Sequence, residues 1–99
     1  MKKILTNIKK EFDNRTRLGV MSILLVNDWV DFKTLKEMLD LTDGNLASHL
    51  KTLEAKAYIK IQKQFIGKKP NTTYAVTDAG RKAFNDHLDA LEALIKNRR

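Results

Sequence analysis

The stretch that decides the fold is "LTDGNLASHLKTL", Leu41 to Leu53. Leu46, Leu50 and Leu53 recur at helical spacing and mark one apolar face. The opposite face differs from the Glu- and Lys-rich surface that a helix covering a core usually offers to water. It carries Gly44, Asn45, Ser48, His49, Lys51 and Thr52, several of them poor helix formers mid-helix. Short donors and acceptors gathered near a helix N-terminus suit close approach to a polar, anionic surface.

Working outward, Thr42 is placed to cap this helix and Asp43 lies in its first turn, where a carboxylate suits the helix dipole. The helix is expected to end near Lys56. Upstream, the tight turn "DLT" separates it from a helix over Phe32 to Leu39, with Asp31 as N-cap. A helix from Arg15 to Val26 precedes that, followed by "NDWVD", where Trp29 and Val30 suit a short strand. Ile4, Leu5, Ile8 and Phe12 predict an N-terminal helix over about residues 2 to 13.

Downstream the period changes from helical to alternating. Tyr58, Ile59 and Ile61 lead into Phe65 as one strand, and Thr73 to Val76 form the return strand of a hairpin. Between them "IGKKPNTT" reads as a polar, cationic loop holding the only proline, Pro70. Thr77 caps a last helix in which Phe84, Leu88, Leu91 and Ile95 follow at steps of four, three and four residues, with Leu94 beside them. This seam calls for a partner, and a second copy of the chain is the expected one.

Composition narrows the function classes. The 99 residues suffice for one domain with a thin core, and pairing is a common way to enlarge it. Lys and Arg total 19 against 12 Asp and Glu, a formal net charge of +7, which points to an acidic partner. From residue 44 to 72 the bases Lys51, Lys56, Lys60, Lys63, Lys68 and Lys69 face one acid, Glu54. The excess therefore falls on the polar-faced helix and the hairpin.

No cysteine is present, which excludes disulfides, thiolate metal sites and a cysteine nucleophile. The two histidines, His49 and His87, belong to different elements, so no metal site and no cofactor are expected. Ser48 and His49 are neighbours pointing about 100° apart on a helix, a poor nucleophile and base pair. An enzyme is the weakest reading. No apolar run suits a membrane span or secretory signal, and a cytoplasmic location is expected.

The order of elements predicts a mainly α chain with a small β-hairpin, a winged helix-turn-helix whose second helix enters the major groove of double-stranded DNA. The candidate DNA contacts are Thr42, Gly44, Asn45, Ser48, His49, Lys51 and Thr52 on the helix, and Lys63, Lys68, Lys69, Asn71 and Thr72 on the hairpin or wing, residues 66–72. Asn45 is suited to adenine because its amide donates and accepts at once. Thr42 and Asp43 also serve as caps, and Gly44 has the alternative role of relieving crowding. The expected organisation is one domain, 1–99, with a winged-helix core at 14–77 and terminal helices at 1–13 and 78–99. Those helices supply the candidate dimer contacts Ile4, Leu5, Ile8, Phe12, Phe84, His87, Leu88, Leu91, Leu94 and Ile95. The competing reading is a winged-helix protein-interaction module.

"FKTLKEMLDLTDGNLASHLKTLE" and "YIKIQKQFIGKKPNTTYAVTDAGRKAF" also resemble small stand-alone winged-helix transcriptional regulators related to the MarR and ArsR groups. The resemblance runs from about Arg15 to Leu94. It implies a homodimeric DNA-binding protein with recognition-helix contacts at Asn45, Ser48, His49 and Thr52 and wing contacts at Lys68, Lys69 and Thr72. One departure stands out: "EAKAY" places Ala57 where similar proteins carry Gly.

Overall fold

The computed structural model describes residues 2–96, with side chains described from Ile4 onward. Residues 1 and 97–99 of the expected terminal helices lie outside the described residues. The chain runs α1 (Lys2–Asn7), a 3₁₀ turn (Lys10–Phe12), α2 (Arg15–Leu25), β1 (Val30–Asp31), α3 (Phe32–Leu39), α4 (Asp43–Ala55), β2 (Ile59–Ile66), β3 (Lys69–Val76) and α5 (Asp78–Lys96). The fold is mostly helical with a three-stranded antiparallel sheet in the order β1-β3-β2. Val30 stands opposite Tyr74 and Asp31 opposite Thr73, so the short strand forms one residue later than expected, over Val30–Asp31 without Trp29, and closes one edge of the hairpin.

Helices α2 to α5 each start where a side chain accepts from the first turn. Asn14 Oδ1 accepts from the N–H groups of Thr16 and Arg17 at 2.9 and 3.1 Å. Asp31 Oδ1 accepts from Thr34 N–H at 2.7 Å, and these Thr34 hydrogen bonds hold its carboxyl below the usual range. Thr42 Oγ1 and Thr77 Oγ1 do the same for α4 and α5, accepting from the N–H groups of Asn45 and Gly80.

Two of these helices end in the same way. After α3, Asp40 is left-handed (φ 53°) while Asp40 N–H and Leu41 N–H donate to Glu37 and Lys36 carbonyls. After α4, Ala57 is left-handed (φ 60°) while Ala57 N–H and Tyr58 N–H donate to Glu54 and Leu53 carbonyls at 2.8 and 3.0 Å. This paired bonding is the Schellman motif. Ala57 thus carries the conformation that glycine adopts without strain.

The core gathers Val20, Met21 and Leu24 of α2, Leu35 of α3, Leu46, Leu50 and Leu53 of α4, Ile59 and Tyr74 of the sheet, and Phe84 of α5. Phe12 joins them, and this corrects the expected continuous helix over residues 2 to 13. The backbone opens at Lys9 (ψ 125°), whose N–H donates to His87 Nδ1 at 3.0 Å instead of continuing the helix. The break turns the Phe12 ring inward, with centroids 5.3, 5.1 and 5.4 Å from Tyr58, Phe84 and His87.

The hairpin corrects a second expectation. "IGKKPNTT" is not a loop: β2 and β3 stay paired out to Ile66 opposite Lys69, and only Gly67 and Lys68 form the turn. Gly67 has φ +63°, as the first position of a type II′ turn demands. Pro70 sits within β3 opposite Phe65. That end of β3 lies beyond the short β1, so its outer edge needs no N–H there.

Candidate nucleic-acid interface

Burying Leu46, Leu50 and Leu53 turns the other side of α4 outward. Gly44, Asn45, Ser48 and Lys51 are exposed, while His49 and Thr52 are half-buried. A Cβ added to Gly44 would meet nothing within 4 Å, so its small size relieves no crowding inside the chain. It leaves the first turn of α4 open to close approach from outside. Thr52 Oγ1 donates to Ser48 carbonyl at 3.2 Å, so its oxygen keeps accepting capacity. Thr42 is committed to its cap, and Asp43 pairs with Lys36 across the α3–α4 turn at 2.8 Å.

His49 has a partner that sequence reasoning missed. Arg17 of α2 places Nη1 3.0 Å from His49 Nδ1, and its Nε donates to the Glu11 carbonyl at 2.6 Å. Burial, then the Arg17 charge, pushes the His49 imidazole below its ordinary pKa. Arg17 carries no distinguishing pattern in the sequence. Its role depends on the 3₁₀ turn that presents the Glu11 carbonyl, a turn absent from the helical periodicity.

Lys63, Lys68 and Lys69 are exposed on the wing, with Asn71 and Thr72 half-buried. Strand alternation divides them between two faces. Lys63 opposite Thr72 continues the face of Ile61 and Tyr74, whereas Asn71 opposite Gln64 and Lys69 opposite Ile66 lie on the other. Lys68 is in the turn. The same wing exposes Phe65 and Ile66, 73% and 65% accessible, two apolar side chains that a purely polar, cationic loop does not describe.

The candidate dimer residues also divide. Leu5, Leu88, Leu91 and Ile95 are exposed, and Ile4, Ile8 and Leu94 are half-buried. Phe12, Phe84 and His87 are at most 2% exposed and belong to the interior of their own chain. Their rings pack on one another, and His87 Nδ1 is taken by Lys9 N–H. As surface for a second copy, these three are therefore corrected. The terminal helices α1 and α5 pack against each other within the chain.

A helix-turn-helix with an outward polar face, followed by a cationic two-stranded wing, defines the winged-helix class of DNA-binding modules. The chain belongs to the winged helix DNA-binding domain family, whose model matches residues 16–95. It is 35% identical over 88 residues to protein MJ0432 of Methanocaldococcus jannaschii, covering 89% of this chain and 96% of that protein. A solved structure of a transcriptional regulator homologue from Pyrococcus horikoshii OT3 is 35% identical, with TM-score 0.83 over 97% of this chain and 96% of that one. Bacillus subtilis PadR in complex with operator DNA shares the fold at TM-score 0.67 and 15% identity, across 76% of this chain and 48% of PadR. The family is one of transcriptional regulators and is not enzymatic. Among the described residues, no group of three or more His, Asp or Glu is arranged to hold a metal, and no helix is long and apolar enough to cross a membrane.

Proposed function

We propose that this chain is a sequence-specific, double-stranded DNA-binding transcriptional regulator that works in the cytoplasm as a homodimer on a pseudo-palindromic operator. Helix α4 enters the major groove, and the wing, residues 66–72, lies along the flanking backbone or minor groove. Core residues 14–77 carry this contact, and the terminal segments, residues 1–13 and 78–99, carry the dimer. The observation that carries the reading is the division of α4, with three leucines buried and Gly44, Asn45, Ser48 and Lys51 exposed. An amide and a hydroxyl on such a face match base-edge and phosphate chemistry. PadR, which shares the fold, is solved in complex with operator DNA, and this supports duplex DNA as the partner.

The test is selection of bound fragments from random duplex DNA by the full chain. The expected product is an inverted repeat with half-sites about one helical turn, roughly 34 Å, apart. Recovery of unenriched sequence overturns the proposal.

A further inference from the structure

Arginine is always charged, donates only, and has no acceptor to offer. The contact between Arg17 Nη1 and His49 Nδ1 at 3.0 Å therefore fixes Nδ1 as the acceptor. In the neutral ring the proton must then reside on Nε2. Arg17 cannot swing away freely, because its Nε is held by the Glu11 carbonyl at 2.6 Å. Among the described residues Nε2 has no hydrogen-bond partner, and no buried side-chain nitrogen or oxygen is left unpartnered, so Nε2 reaches solvent. His49 lies on the flank of α4, beside exposed Asn45 four residues earlier and Thr52 three residues later.

We infer that Arg17 is a positioning residue that locks the His49 imidazole with its Nε2–H outward, making position 49 a fixed hydrogen-bond donor toward an acceptor atom of the bound DNA. The inference rests on the DNA-binding reading of α4 and adds the chemistry of one contact. An acceptor on the duplex is either a base-edge atom, such as guanine N7 or O6 or thymine O4, or a phosphate oxygen. The lock secures the donor in both cases, because a ring free to exchange tautomers would present a bare Nε2 for part of the time and lose the pairing. Lysine at position 17 would keep the charge but not the fork that reaches Glu11 and His49 together.

The test begins without DNA, so that it stands apart from the DNA-binding reading. Long-range ¹H–¹⁵N spectra of the labelled full chain near neutral pH are expected to show His49 with bare Nδ1 and protonated Nε2. In Arg17→Met and Arg17→Lys the ring is expected to average between tautomers, and in Arg17→Met, which removes the charge, to titrate at higher pH, with the thermal melt confirming that each variant folds. A protonated Nδ1 in the parent chain, or a ring unchanged in both variants, overturns the inference. Binding to the duplex recovered from random selection is then compared. His49→Ala and Arg17→Met are each expected to weaken binding roughly threefold to tenfold, the scale of one hydrogen bond, and His49→Gln, which retains a donor near Nε2, is expected to restore it. Lost preference at one base pair places the acceptor on a base edge, and uniform weakening places it on phosphate. Full affinity in His49→Ala overturns the donor role.

Discussion

A Cβ built on Gly80 would overlap the carbonyl oxygen of Tyr58 and come within 2.8 Å of its carbonyl carbon. The first turn of α5 thus lies directly on the backbone that enters β2. Thr77 fastens the contact: its N–H donates to Tyr58 carbonyl at 3.0 Å, and its hydroxyl donates to Ala57 carbonyl at 2.6 Å. Alanine favours a helix interior over glycine by about 1 kcal/mol, yet here the neighbour is backbone and cannot step aside. Gly80→Ala is expected to destabilise the chain by about 1–3 kcal/mol, the range of overpacked sites. Urea denaturation measures it, and a gain in stability would mean that α5 is not seated on Tyr58.

Ala57, next to Tyr58 in the chain, presents the opposite case. Its φ of 60° strains a residue with a Cβ, and glycine at such a cap removes about 1 kcal/mol of cost. Ala57→Gly should raise the melting temperature by several degrees for a domain of this size. DNA preference should stay as it is, because Ala57 lies past the end of α4. A lower or unaltered melting temperature would count against the left-handed cap.

These two positions also show what the residues alone disclosed. The capping residues Asn14, Asp31, Thr42 and Thr77 act locally, and among them Asp31, Thr42 and Thr77 marked helix starts that the structure keeps. The three leucines of α4 gave its buried face by spacing alone. The break at Lys9 was illegible, because it depends on His87, 78 residues further along. The wing was misjudged since Pro, Gly and Lys read as loop chemistry, whereas Pro70 is tolerated on an edge that β1 does not reach. Arg17 escaped notice for the same reason as Lys9: its partners meet only in three dimensions.

His87 makes stability depend on pH. Burial is the main cause that pushes its imidazole below the ordinary value, with Lys9 adding to the effect and Asp13 opposing it. The unfolded chain then binds a proton near pH 6.5 that the folded chain refuses, so stability rises with pH through this window. The contribution is complete above the unfolded value and is lost progressively as pH falls below it toward the depressed folded value. Between pH 7.5 and 5, His87→Asn, whose amide oxygen can accept from Lys9 N–H, should show a shallower fall in denaturation midpoint than the parent. Parallel falls would show that other groups, His49 among them, carry the whole dependence.

On DNA, Asn45 and Lys68 should fail differently. Lys68 occupies the wing turn and is exposed, where a cation neutralises phosphate and releases counterions. Lys68→Ala should weaken all duplexes alike and reduce the salt slope by about 1 for each copy of the wing engaged. Asn45→Ala should keep the slope and lose discrimination at one base pair, costing about 1–3 kcal/mol against the preferred site. Filter or anisotropy titrations at several salt concentrations separate the two, and an identical signature from both would reject the assignment of base reading to α4.

Dimer formation should depend on the outer face of α5. Leu88, Leu91 and Ile95 are 43%, 37% and 66% exposed, and Leu5 on α1 is 58% exposed. Apolar side chains set at intervals along one helix make a surface that water disfavours and a second copy can cover. Because α1 and α5 already pack together within the chain, a second copy can cover their exposed residues without opening the core. Leu88→Asp with Ile95→Asp should therefore yield a folded monomer by sedimentation, with a near-native circular dichroism spectrum. A single half-site should still bind it weakly, while the full inverted repeat should lose the gain that comes from linking two recognition helices. If the double variant remains dimeric, the pair interface lies elsewhere and the spacing expected of the operator must be abandoned with it.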